Sequence, residues 1–348
     1  MTRQRVVRVL QIVLVLLTVA AVGWALARNS EQAWADVQRA DPLVLAAATA
    51  MSVLAPWCTM LGWRAMLADL GSRLRLSDAA SVFFVGQLGK YLPGSVWSVV
   101  AQAEMAHTLK VPRRRTATVG LVCIAMSALS GALVGLPALP LLVRQRGPLA
   151  GAVTVVLMLA IGVCLLWPRL LNGILALAFR LLRREPLEHD LTLRGVLTSA
   201  AWFLAAWLCA GLQMLVLAEA IGGDHLLVTH LLVVGICGFA LASAIGMLSF
   251  VLPAGLGMRE GMLMLMLSPA TGVTTATVIA LLSRFTTTIG DIVVAVGGWL
   301  WARSHHLLGD GHAPVEDEPA DPVDGARPAG GAAAARSTPA DLEARHDQ

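Results

Sequence analysis

Charged residues that could hold or move a ligand gather beside two breaks in otherwise apolar sequence. The first break reads Gly89-Lys90-Tyr91-Leu92-Pro93-Gly94-Ser95-Val96-Trp97. The second reads Leu252-Pro253-Ala254-Gly255-Leu256-Gly257-Met258-Arg259-Glu260. Proline removes a backbone donor and clashes with the preceding turn, and glycine frees the chain from helical dihedrals. A helix restarting after such a break presents unpaired N–H groups and a partial positive charge. At the first break Ser95 suits the N-cap of a half-helix beginning at Val96. Lys90, about a turn before Pro93 and Gly94, adds a full positive charge. At the second, Pro253, Gly255 and Gly257 permit close backbone approach and place Arg259 and Glu260 at the next helix start. Both arrangements suit an anion, and between apolar flanks a phosphate headgroup is the natural guest. A plainer reading has Lys90 snorkelling to an interface beside a tight turn.

The remaining charges need partners, because a lone ion in an apolar medium is very costly. Arg284 and Asp291 lie seven residues apart in a later apolar run, on one helical face. The economical arrangement pairs Glu260 with Arg284 and leaves Arg259 or Asp291 facing a cavity. Such a pair could switch during a ligand cycle, and a static ion-pair lock fits the same residues. Glu104, three positions before His107, suits a gating or proton-relay role or a helix-end hydrogen bond. The five cysteines are widely spaced in apolar segments, without a CxxC or Cys/His pattern, so neither a metal nor a cofactor is expected. No phosphate-binding loop, nucleophile elbow or HExxH is present, and no enzyme activity is expected.

The elements that must position these residues follow from composition. The chain is 57% hydrophobic and 14% charged, with mean hydropathy +0.73. Soluble chains average about 45–50% apolar and about 25% charged, so this is an integral membrane protein. Apolar runs long enough to span a bilayer lie near 9–27, 43–67, 117–142, 149–167, 196–220, 228–248 and 274–301. Segments 79–108 and 249–267 carry the two Leu-Pro-x-Gly breaks and read as re-entrant helical hairpins. The expected fold is all-α and polytopic, with 7–8 transmembrane helices plus these hairpins. A membrane domain over 1–305 precedes an acidic Ala/Pro/Gly-rich tail over 306–348 that is expected to be disordered.

Arginine and lysine placement sets orientation. Arg3, Arg5 and Arg8, then Arg64, Arg73 and Arg75, Lys110 and Arg113 to Arg115, and Arg169, Arg180, Arg183, Arg184 and Arg194 fall on one side if the 79–108 hairpin returns to that side. This predicts a multi-pass protein of the cell membrane with a cytoplasmic N-terminus. Net charge is +4, but the basic residues cap apolar runs and give no case for nucleic acid. No Lys or Arg lies between Gly195 and Met258, which leaves the side of the second hairpin open. Seven crossings put the C-terminus outside, and an eighth at 170–182 or 249–267 returns it to the cytoplasm. Residues 171–185 read as an interfacial helix.

The two break sequences carry a likeness. With Ala101-Gln102-Ala103-Glu104, Val111-Pro112-Arg113-Arg114-Arg115 and Leu282-Ser283-Arg284, they resemble the transmembrane region of lysylphosphatidylglycerol synthases and related flippase-like membrane proteins. The resemblance covers most of residues 1–303. It departs where many members carry a carboxylate soon after the first break, since Val96-Trp97-Ser98-Val99 stands there. The bifunctional members append an aminoacyl-transferase domain, whereas a short acidic tail follows here. The resemblance thus implies the lipid-binding or translocating half without the synthetic one.

These readings converge on a membrane protein that binds an anionic lipid, a phospholipid or a polyprenyl-phosphate-linked one, and moves it between leaflets. The alternative is a non-transporting scaffold or lipid-presenting subunit for a separate cell-envelope synthesis enzyme. The expected partners are a membrane lipid and, in the alternative, that enzyme. The sequence leaves the oligomeric state open.

Overall fold

Long apolar runs bounded by helix-start and helix-stop residues give helices, and among the described residues there is no strand. The structure, a computed structural model, describes residues 41–91, 97–142, 148–181, 190–222, 232–248 and 257–305, with 31, 35 and 38. The 9–27 run, the Leu-Pro-Gly and Leu-Pro-x-Gly breaks (92–96 and 249–256) and the 306–348 tail lie outside the described residues.

Helix α1 spans Pro42–Asp69, with proline at its first turn and Asp41 accepting the Leu43 N–H at 2.8 Å. Helix α2 covers Leu76–Gln87 and tightens into a 3₁₀ turn at Leu88–Tyr91. Helix α3 is Trp97–Thr108 and α4 is Arg113–Gly135, extended by a 3₁₀ turn at Leu136–Ala138. Then come α5 (Pro148–Leu166), α6 (Pro168–Leu181) and α7 (Leu193–Gly222). A π-helical segment, Val233–Gly238, leads into α8 (Phe239–Leu248). Helices α9 (Met258–Thr271) and α10 (Val273–Ser304) follow. Four of these, α1, α4 with its extension, α7 and α10, are long and apolar enough to cross a membrane, and the bent α5–α6 pair makes a fifth if counted as one.

Tertiary contacts between distant segments orient the bundle. Asp69, at the end of α1, accepts the N–H and hydroxyl of Thr192 just before α7, at 2.9 and 2.6 Å. Ser199 of α7 donates to the Gly62 carbonyl of α1 at 3.0 Å, so α1 and α7 are antiparallel. Gly298 of α10 faces Ser81 and Phe84 of α2, while Lys90, beyond α2, meets Asp291 of α10. Those two helices are therefore antiparallel, and Ser304 ends near the 70–75 loop where α2 begins. Arg115 joins that loop to the start of α4 by donating to the Ser72 hydroxyl at 2.7 Å. One end of the bundle thus collects Arg73, Arg75, Lys110 and Arg113 to Arg115 with the end of α10, and we call it the basic end.

Helix α6 also lies at the basic end. It turns 92° from α5, and Leu171, Leu175 and Leu191 belong to the same buried apolar cluster as Leu70 and Leu74. Asn172 holds the Leu191 backbone from both sides, at 3.1 and 3.2 Å. Leu170, Ile174, Leu177 and Leu181 remain exposed. This agrees with an interfacial helix and gives no support to an extra crossing at 170–182.

The first hairpin is an α2–α3 pair that begins and ends at the basic end. Its arms nearly touch: a Cβ at Gly89 would lie 2.5 Å from the Ser98 nitrogen, so only glycine fits there. The second hairpin comes from the opposite end. Gly272, with φ +82°, turns α9 directly into the start of α10, and Glu260 sits beside Arg284 further along. Both flanking helices, α7 and α10, have their near ends on that side. Residues 228–231 of the expected 228–248 crossing lie outside the described residues. Its described apolar helix, Val233–Met247, is under the length of a membrane span, about 20 residues, and pairs with α9 as a hairpin arm.

Buried side chains form two apolar clusters. One, around Trp63, Phe84 and Phe203, fills the basic half, and the other, around Met214, Leu263 and Ile279, fills the opposite half. Polar contacts occupy the level between them.

Candidate functional site

The centre of α10 is where both hairpins deliver their charges. Arg284 and Asp291 stand on one face, about 10 Å apart at the helical rise, near the midpoint of the helix. Lys90 Nζ from the first hairpin lies 2.7 Å from Asp291 Oδ2. Asp291 is 5% exposed and Lys90 31%. From the second hairpin, Glu260 Oε1 accepts Arg284 Nη1 at 2.9 Å, with Arg259 Nε at 3.9 Å from the same oxygen. The pairing of Glu260 with Arg284 is the one expected from the sequence. Asp291 does not face an open cavity alone, because Lys90 reaches it across the hairpin tip.

Glu260 has a further job that its position dictates. Three residues into α9, its Oε2 accepts the Gly257 N–H at 2.8 Å. A carboxylate at this point satisfies one of the unpaired donors of a helix start and complements the local dipole. That N–H, read from the sequence as part of an anion-binding helix N-terminus, is thus taken by the protein's own acid. Gly257 itself adopts φ +85°, a conformation open to glycine, and this lets α9 begin abruptly at Met258.

Arg259 points the other way along the layer. Its Nη2 donates to the Ser283 hydroxyl at 3.0 Å, and its guanidinium lies 4.7 Å from the Phe239 ring centroid. Next to it runs a polar seam between helices. Gln213 of α7 donates to the Ser283 carbonyl at 3.0 Å and contacts the hydroxyls of Thr286 and Thr287 at 2.5 and 3.2 Å. Ser52 of α1 donates to the Thr286 carbonyl at 2.9 Å. Gln213, Ser52, Ser283 and Thr286 are all buried. Of these four the sequence analysis named only Ser283, within Leu282-Ser283-Arg284, although a lone glutamine at the middle of an apolar run was a readable signal.

Glu104 belongs elsewhere. It pairs with Arg113 at 2.8 Å near the basic end, both side chains more than half exposed, and does not join the central charges. Such exposed pairs contribute about 0–1 kcal/mol. Pro93, Gly94, Ser95, Pro253 and Gly255 lie outside the described residues. Among the described residues no group of His, Cys, Asp and Glu is arranged to hold a metal ion.

Residues 9–295, which hold both hairpins and the helix they converge on, match the family model described as the lysylphosphatidylglycerol synthase TM region. The chain belongs to that family. The matched region contains every charge of the central layer, and it makes the protein a multi-pass membrane protein related to lipid metabolism. A comparison with curated proteins returned no match. Among the described residues the layer brings together three cations, Lys90, Arg259 and Arg284, and two carboxylates, Glu260 and Asp291.

Proposed function

We propose that this protein binds an anionic lipid by its headgroup at the α10 layer and carries it between leaflets. The observation that supports the reading is the gathering of Lys90, Arg259 and Arg284 at one level, the middle of an apolar bundle, where both hairpins meet α10. Cations at that depth are costly to hold and favour an anionic guest. Lys90 and the Arg259–Arg284 pair are the groups that would meet a phosphate, with Pro93, Gly94, Ser95, Pro253 and Gly255 shaping the two tips. Hairpins reaching one level from opposite ends suit a site that each leaflet reaches in turn. The protein acts without a catalytic step of its own. Its basic end faces the cytoplasm of a cell membrane, together with the N-terminus.

Proteoliposomes containing labelled phosphatidylglycerol or labelled polyprenyl phosphate test this. The expected outcome is headgroup exchange in wild type that falls at least tenfold in Arg284→Gln. Exchange no faster than in empty liposomes for both lipids would refute translocation. Retained lipid without exchange would favour a subunit that presents lipid to an envelope-synthesis enzyme, which co-purification would then identify.

A further inference from the structure

Helix α6 presents three different faces. One packs inward: Leu171 and Leu175 are buried, and Asn172 bonds both the N–H and the carbonyl of Leu191. That grip fixes how the helix is rolled. A second face carries Leu170, Ile174, Leu177 and Leu181, which fall in one line along the helix, and all four are exposed. A third carries Arg169 and Arg180, three turns apart, exposed, and about a quarter turn round from the leucines. Between the arginines stands Gly173, where an added Cβ would meet nothing within 4 Å. The space beside them is open.

The setting of the helix decides what those faces meet. Helix α5, just ahead, turns Val155, Val156 and Leu159 outward, each more than half exposed, as a helix surrounded by hydrocarbon does. A 92° turn at Trp167 then lays α6 crosswise to α5. Trp167 is itself exposed at the bend, and an apolar ring with a polar N–H suits the level where acyl chains meet headgroups. A leucine line beside an arginine line suits the same level, with the first in the acyl zone and the second among phosphates. The neighbouring surface has matching charge. Arg73, Arg75 and Arg194 are exposed at this end, against Asp190 and a Glu104 already paired with Arg113. A second copy of the chain fits this face poorly, since symmetric pairing along α6 sets Arg169 against the other copy's Arg180.

We infer that α6 lies in the plane of the membrane interface and binds acidic lipids, its leucines in the acyl chains and Arg169 and Arg180 on the phosphate headgroups. This surface is separate from the α10 layer and does not depend on translocation. It gathers acidic lipid at the end of the bundle where the first hairpin begins.

The test places full-length protein in liposomes of phosphatidylcholine and phosphatidylglycerol, with bromine on the acyl chains of one lipid or the other at equal mole fraction. Bromine quenches nearby indoles, and subtracting the signal of Trp167→Phe isolates Trp167. At low salt a preference for phosphatidylglycerol of at least about fivefold is expected, the contribution of one arginine near an acidic surface. Arg169→Gln combined with Arg180→Gln should bring that preference close to unity, while quenching by brominated phosphatidylcholine persists. A second measurement needs no arginine variant: in wild type the preference should fall as salt is raised, because ions screen exposed charges. Equal quenching by the two lipids in wild type at low salt overturns the acidic-lipid site. Quenching of Trp167 by neither lipid also overturns it, and means that protein covers the helix. A preference that survives both the double variant and high salt overturns it as well, by assigning the lipid to other groups.

Discussion

Glu260 is asked to do three things with one carboxylate: start a helix, hold Arg284 and steady Arg259. Its removal therefore leaves two guanidinium groups facing each other at the hairpin tip. Arg284→Gln does less damage, because Glu260 retains the Gly257 N–H and Arg259. Breaking a buried ion pair from one side costs about 3–5 kcal/mol in soluble proteins. Glu260→Gln should therefore cost about 3 kcal/mol or more, and Arg284→Gln about half of that. Thermal unfolding of the purified protein would show this as a larger drop in midpoint for Glu260→Gln. Equal drops would mean that Arg259 contributes nothing to holding the carboxylate. The Glu260–Arg284 pair was legible in the sequence, since both charges sit in apolar runs that cannot host them singly. The Lys90–Asp291 pair was not, because two acids were available and no local spacing links residues so distant in the chain. Ser52 and Thr286 escaped notice for a related reason. Serine and threonine in apolar helices bond their own preceding carbonyls, as Thr286 does with Leu282 at 2.9 Å, so they create no visible demand for a partner.

Helices α2, α3 and α9 were legible as arms of broken hairpins from their Pro/Gly punctuation. What could not be read was the direction of the second hairpin. Orientation from sequence relies on Lys and Arg, and none falls between Gly195 and Met258. Contacts supply the missing direction: the Gly272 turn sits opposite the basic end, and Ser304 sits at it. The same geometry pairs the described Val233–Met247 helix with α9 and places the C-terminal end of α10 on the side of the arginine-rich loops. Single cysteines placed at Ser304 and at Thr271 test this in intact cells. An impermeant thiol reagent added outside should label the Thr271 position and spare the Ser304 position. Labelling of both, or the reverse pattern, would contradict the orientation of α10.

At the scale of the whole molecule, two apolar clusters are separated by a level of charge that neither could accommodate alone. The level is built from opposite ends, a lysine arriving on one hairpin and a glutamate on the other, each meeting its counterpart on α10. Composition announced the membrane, and the paired breaks announced a shared centre. The gathering of three cations at that level follows only once side chains from separate segments are placed together. Mass spectrometry of the lipids retained by gently purified protein addresses the role of those cations most directly, comparing wild type with Lys90→Ala, Arg284→Gln and the surface control Glu104→Gln. The expected result is an anionic lipid enriched in wild type and in Glu104→Gln, and depleted at least severalfold in both layer variants. The same lipid profile in all four, from protein that remains folded, would contradict an anionic headgroup at the α10 layer.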